Sequence, residues 1–437
     1  MKQWNKFWSA MALLVISPLT GHTQAVTLTI EDLFAQIEKA NSEVLLARKD
    51  VAISSMRRQA EKDARLPDIA MSLEGDYIGN VYVLDRDLSN ITRSPMTHWG
   101  NSFGVSLYQP LYTGGEVSAK IKRADTQTTL AENNVTLIED RMKMLILQCY
   151  LELFKNRNLL NVYDENIRIT GELIDEMRAR ATQGLVLAND VTRYDLTLSN
   201  LNYDRLTVLN TIKNLSYSLN SYLHLNDNDT IIPTIDFDRI NFSAAPLSEW
   251  VNLSRRESPA LRSYELQQAE TSANERIIRS AGLPKIGVNA GASIAAPITT
   301  HTPVLDKNLS KWYVGFSVSF APSAIYKSSH KLQATRMESE RLHSAREAHE
   351  EEIDRNLDRA YKSYIEAIEH VTTQKKNVEL ASENYRIVAH RYNNDLSLLT
   401  DMLDASASKL DAETRLVNAQ VDVLYYYFRL KYLSGTI

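Results

Sequence analysis

Two hydrophobic periods alternate along this chain. Between Thr400 and Leu433, the positions Leu403, Ala407, Leu410, Thr414, Val417, Val421, Leu424 and Phe428 recur in alternating steps of four and three. That is the spacing of a coiled-coil seam, with Thr414 its one polar member. An earlier stretch carries Val191, Tyr194, Leu198, Leu201, Val208, Ile212 and Leu215, interrupted by Arg205. Glu116 to Thr182 contains no proline and Gly171 as its only glycine, and Ala324 to Asn393 contains neither residue. Continuous helix over the first of these would reach about 100 Å at roughly 1.5 Å per residue. Isolated helices of such length are unstable in water, so these are expected to pack along their whole length.

Four segments between the helices follow a period of two. In Trp312 to Phe320 every even position is bulky and apolar, and the odd ones after Tyr313 are Gly or Ser; Ile286 to Ile294 repeats the alternation. The earlier pair sets Ile69, Met71, Leu73 and Tyr77 against Asp68, Ser72, Glu74 and Asp76, then Phe103, Val105 and Leu107 against Ser102, Gly104 and Ser106. Strands of about ten residues with one apolar and one polar or tiny face suit a membrane barrel. A soluble sheet resting one face on a core has the same alternation. Aromatic residues near the strand ends, Tyr77, Tyr82, Trp99, Tyr108, Tyr112, Trp312, Tyr313 and Tyr326, favour the membrane reading, because such rings sit well at a bilayer interface. Ile69, Met71, Phe103, Val105, Val288, Val314, Phe316 and Val318 are then the expected lipid-facing positions. The connecting segments, residues 79–98 and 295–310, read as long polar loops.

The two periods are arranged twice. Leu66-Pro67 returns as Leu283-Pro284, 217 positions later, each time between a helical stretch and a strand. Gly184-Leu185-Val186-Leu187 returns as Asp395-Leu396-Ser397-Leu398, 211 positions later. A duplicated helix, strand, strand, helix, helix unit follows, mainly α with a membrane β-barrel portion. Residues 26–223 form the first repeat, 224–246 a linker and 247–437 the second. Four strands are too few to close a barrel, and an open edge cannot face lipid, so the chain is expected to associate with copies of itself.

Composition sets the compartment and excludes some partners. Lys2 and Lys6 precede an apolar run from Phe7 to Ile16, and Thr23-Gln24-Ala25 offers a cleavage site, so residues 1–25 read as a removed signal peptide. The run is too short for a membrane-spanning helix. Removing it takes the formal charge from −5 to −7, which argues against a nucleic-acid partner. Cys149 is the only cysteine, so no internal disulfide forms, and it reads as small apolar filler. With 44% hydrophobic and 24% charged residues the chain can build a large core.

Several short stretches carry a resemblance in their order. Leu28-Thr29-Ile30-Glu31-Asp32, Ala40-Asn41-Ser42-Glu43-Val44, both Leu-Pro junctions, and Tyr108-Gln109-Pro110-Leu111-Tyr112-Thr113-Gly114-Gly115 resemble the TolC family of outer-membrane efflux proteins across almost the whole chain after the signal. The resemblance implies a homotrimer, with a 12-stranded β-barrel in outer-membrane lipid continued by a long α-helical barrel into the periplasm. It implies an exit duct for a tripartite efflux or type I secretion system, with a periplasmic adaptor and an inner-membrane efflux or ABC transporter as partners. Residues 224–246 would be its equatorial linker.

The same resemblance directs attention to the two helical turns. It implies a periplasmic gate at Asp401, Asp404 and Tyr392, and adaptor contacts at Gly184, Leu185 and Leu396. Asp401 and Asp404 are three apart and share a helix face. Repeated by threefold symmetry they would ring a constriction with carboxylates, which favours cations. Two acidic residues in the first turn of a helix also simply complement its dipole. Ser397 and Asp395 depart from the basic residue and glycine found in family members, so a tether between the turns is expected to be absent or differently built.

Enzyme patterns are incomplete. His349-Glu350-Glu351-Glu352-Ile353 begins like a helical zinc-protease motif but has Ile353 where the second histidine belongs. Asp227-Asn228-Asp229 begins like a calcium loop, with Ile232 where glycine is needed. No enzyme activity, metal or cofactor is expected. A soluble periplasmic coiled-coil scaffold or adaptor is the alternative, and it leaves the four alternating strands unexplained.

Overall fold

The computed structural model describes residues 25–227, 229–235, 245–301, 303–394 and 396–437. Of the expected signal peptide, residues 1–24 lie outside these. The elements run in the order β1 (Ala25–Leu28), α1 (Ile30–Ala40), α2 (Ser42–Asp63), β2 (Asp68–Tyr77), β3 (Val81–Val83), β4 (Thr92–Ser94), β5 (Trp99–Tyr112), α3 (Glu116–Thr182) and α4 (Ala188–Leu223). They continue with β6 (Thr230–Pro233), α5 (Leu247–Glu257), α6 (Pro259–Ser280), β7 (Lys285–Ala296), β8 (Leu309–Ser319), α7 (Ser323–Lys327), α8 (Ser329–Asn393) and α9 (Leu399–Ser434).

The duplication is visible in the helix breaks. The chain turns extended at Asn41 between α1 and α2 (φ −62°, ψ 130°) and at Ser258 between α5 and α6 (φ −61°, ψ 114°). These positions have the same separation as the two Leu-Pro junctions. Ser258 caps α6 by accepting from the Leu261 N–H at 3.5 Å, and Pro259 follows where a missing N–H costs nothing. Thr29 and Asp32 form a reciprocal capping box at the start of α1.

The described residues fall into two compact units. One gathers the chain up to Asn41, Leu145–Phe242 and Glu366–Tyr425. Here β1 pairs in parallel with β6, so part of the predicted linker is a strand; Asn228 and residues 236–244 of that linker lie outside the described residues. The buried Tyr150 hydroxyl donates to the Leu28 carbonyl at 2.6 Å and accepts from the Thr234 N–H at 3.1 Å. Gln36 and Asn41 donate to the carbonyls of Leu223 and Tyr222 at 3.1 and 3.3 Å, tying α1 to the end of α4. Arg205, the exception in the α4 seam, is ion-paired with Asp164 of α3. On α9, Val417, Val421, Leu424 and Phe428 of the predicted seam are buried. Ala405, Ala412, Ala419 and Val423 are buried as well, so this helix packs on two sides rather than one.

The second unit comprises Ser42–Met144, Ser243–Ile365 and Tyr426–Ile437. It holds a four-stranded sheet in the order β2-β5-β7-β8, antiparallel throughout. The segment expected to be a polar loop over residues 79–98 instead contains the β3–β4 hairpin, with Val81 opposite Ser94. Beside the sheet, Asn133 of α3 donates to the Pro259 carbonyl at 2.7 Å and to Ser263 at 2.8 Å, anchoring α6. Lys285 at the start of β7 reaches Glu116 at the start of α3 at 2.5 Å. No helix among the described residues is long and apolar enough to cross a membrane.

Candidate functional site

The first helical turn closes between α3 and α4. Gly184 takes φ +76°, a left-handed conformation that glycine adopts without steric cost, and Leu185 N–H returns to the Arg180 carbonyl at 3.1 Å. The second turn, between α8 and α9, makes the corresponding bond: Leu396 N–H donates to the Arg391 carbonyl at 2.8 Å. Arg180 and Arg391 are themselves 211 positions apart, the period of the repeat. Asp395, which takes the glycine's place, lies outside the described residues.

Both turns push apolar side chains into solvent. Leu185 and Leu187 are 69% and 71% exposed, and Leu396 and Leu398 are 67% and 70% exposed. Beneath them Ile174, Met177, Tyr194, Tyr392, Leu399 and Met402 form one buried cluster that joins all four helices. Tyr392 therefore packs within the chain rather than projecting from it. The Tyr194 hydroxyl is buried with no hydrogen-bond partner among the described residues, and burial raises its ionisation well above the ordinary tyrosine value.

Asp401 and Asp404 are both exposed on the first turns of α9 but differ in their surroundings. The Asp401 carboxylate accepts from the Leu398 N–H at 3.1 Å and from the Ser397 hydroxyl at 2.9 Å. It closes the helix N-terminus, as the dipole reading expected. Asp404 stands one turn further on.

A tether between the turns exists, in a form the sequence reading did not identify. Arg180 is held by Glu176 at 2.7 Å and donates to the Asn393 carbonyl at 3.3 Å, joining the first turn to the end of α8. Arg178 adds a pair with Asp195 at 2.9 Å between α3 and α4. The recurrence of arginine at 180 and 391 was the available signal.

The sheet carries the second group of expected positions. Met71 lies opposite Val105, Val105 opposite Ala292 and Val288 opposite Phe316. All eight expected lipid-facing residues, Ile69, Met71, Phe103, Val105, Val288, Val314, Phe316 and Val318, share one face by register. None of the described residues covers this face, where Leu73 is 81% and Phe316 80% exposed. At one margin, Tyr77 meets Trp99 edge-on at 5.4 Å and stacks on His98 at 5.5 Å. Tyr108 and Tyr313, grouped by sequence with the interfacial aromatics, lie on the opposite, polar face. The period of two forbids Trp312 and Tyr313 from facing the same way.

Comparison with known proteins adds a match over the second half of the chain. Residues 250–436 match the family model described as outer membrane efflux protein. A Haemophilus influenzae protein described as uncharacterized is 21% identical over 400 residues, covering 89% of this chain and 84% of its own length. The fold is similar to that of the outer-membrane channel OprN (TM-score 0.73, 15% identity, 93% of this chain and 90% of that one). It is also similar to CusC (TM-score 0.75, 12% identity, 97% and 95%) and to VceC from Vibrio cholerae (TM-score 0.69, 13% identity, 93% and 96%).

Proposed function

We propose that the chain, whose residues 250–436 match the outer membrane efflux protein family model, forms an outer-membrane exit duct, assembled from several copies and loaded from the periplasm. The observation that carries this is the sheet. One face is a field of exposed apolar side chains, the other is polar or tiny, and among the described residues the outer sides of the edge strands β2 and β8 are unpaired. An apolar face of this kind belongs in lipid, and in lipid both edges must be paired. Copies joining β2 to β8 satisfy both demands, and three copies give twelve strands. Leu46, Ile53 and Met56 on α2 are also exposed apolar residues and supply a face for the same association.

The turns supply the loading end of this duct. Exposed leucines on a rigid, cross-braced turn suit docking of a periplasmic adaptor, with Gly184, Leu185 and Leu396 as contacts and an inner-membrane transporter behind it. Asp404 is the gate carboxylate, with Asp401 holding the helix start that positions it and Tyr392 packing the turn from within. The sequence repeats, residues 26–223 and 247–437 around the 224–246 linker, give each copy two hairpins and two helical pairs. Purified protein placed in planar lipid bilayers should pass ions in discrete steps; a protein that stays soluble without detergent and never conducts would overturn the assignment.

A further inference from the structure

We propose that the polar face of the sheet carries a binding station for aromatic or aliphatic organic cations, formed by Tyr108, Tyr313, Asp68 and Asn289. The inference deepens the exit-duct reading and rests on it, since that reading makes this face the lining of the duct. Register places Asp68, Tyr108, Asn289 and Gly315 in one row straight across the four strands, with Tyr313 opposite Gly291 one step along. Asp68 and Asn289, two strands apart, are separated by roughly 10 Å. A hollow of about 430 Å³ opens between them, lined by Asp68, Ala70, Ser106, Tyr108, Asn289 and Tyr313.

The two rings are seated on glycines. A Cβ added at Gly287 would lie 2.4 Å from the Tyr108 ring, and one at Gly291 would lie 2.8 Å from the Tyr313 ring. Any larger residue would lift the rings off the sheet, so the glycines let both tyrosines lie close to the backbone. Gly315 in the Asp68 row has open space above it. Ring faces attract cations through their quadrupole, and a carboxylate at the rim of the same hollow adds a full charge. Lys285 is neutralised by Glu116, Lys311 stands opposite Ser293, four residues along β8 from the Asp68 row, and Glu74 and Asp76 lie six and eight residues along β2 from Asp68, so the charge at the hollow itself is that of Asp68. The chemistry selects a small cation with an apolar body, such as a quaternary or aryl ammonium, over a neutral or anionic compound of equal size.

The test uses the detergent-purified full-length oligomer, titrated calorimetrically with benzyltrimethylammonium, benzyl alcohol and benzenesulfonate. The cation should bind in preference to the other two. Asp68→Asn and the pair Tyr108→Leu with Tyr313→Leu should each weaken it about tenfold, while Tyr108→Phe with Tyr313→Phe should leave it unchanged. Equal binding of benzyl alcohol, or undiminished cation binding in both Asp68→Asn and the leucine pair, overturns the proposal. If the leucine pair fails to assemble, Asp68→Asn alone decides. Conductance of the same preparations separates the two readings: a conducting wild type that does not prefer the cation removes the station only, and a wild type that never conducts removes the duct.

Discussion

The carboxylate of Asp401 accepts two hydrogen bonds that start α9, and the carboxylate of Asp404 stands exposed a turn away. Equal placement on a helix face thus conceals unequal roles. If Asp404 rings the proposed constriction, Asp404→Asn should weaken block of the duct by trivalent cations several-fold, because it removes one charge per copy. Asp401→Asn should change block less and instead destabilise the helix start by about 0.3–1 kcal/mol, seen as faster hydrogen exchange at the Leu398 and Leu399 amides. The reverse ranking would move the gate to Asp401. Arg180 invites a similar test. Arg180→Ala removes the bond to the Asn393 carbonyl, about 1 kcal/mol at a partly exposed site, and should raise resting conductance in planar bilayers. Unchanged conductance would make Arg180 a brace of the turn with no part in gating. The placement of Asp401 and of Gly184 was legible in the sequence because a capping charge and a left-handed glycine are local requirements. The burial of Tyr392 and the reach of Arg180 were not, since both depend on how four helices meet.

Strands and helices differ in how much of themselves they print in the chain. The period of two placed all eight apolar sheet positions on one face, and the absence of proline placed α3 from Glu116 to Thr182. The depth of a residue along its strand is set by register, which sequence alone leaves open. Val314 sits at the middle of β8 and Val318 next to its last residue. Val314→Arg should therefore cost about 2–4 kcal/mol on insertion and Val318→Arg about 0–1 kcal/mol. Recovery of each variant in detergent-extracted membranes checks this, and equal recovery would deny that the face meets lipid. Where the sheet meets its helices, Lys120 and then Lys285 hold the Glu116 carboxyl below its usual value. A lowered folded-state value contributes stability above the unfolded value of 4.5 and loses it as pH falls through the folded one. Glu116→Gln should accordingly lower the unfolding temperature near neutrality, and the gap to the wild type should close as pH falls through the lowered folded-state value. A gap that persists in acid would assign the loss to packing rather than charge.

At the scale of the whole molecule, the outer sides of β2 and β8 are unpaired, and in the proposed barrel the number of copies is how many four-stranded arcs close it. Two copies would give eight strands and three would give twelve; both are even numbers available to outer-membrane barrels, so strand count alone does not choose. Covalent capture does. Ser72 on β2 and Lys311, Gly315, Ser317 and Ser319 on β8 all belong to the polar face by register. Cysteine at Ser72, combined in turn with cysteine at each β8 position, should oxidise readily in the one pairing whose Cα atoms approach within about 6 Å across the joined edges. The natural thiol interferes little: Cys149 is part-buried, and burial followed by the charge of Glu152 raises its ionisation above the ordinary thiol value. Denaturing gels of that double variant should show a ladder of one, two and three chains that ends at three. A ladder ending at two would give an eight-stranded barrel, and one extending beyond three would mean the edges join without closing. Either result would leave the sheet face in lipid but remove the threefold ring on which the role of Asp404 depends.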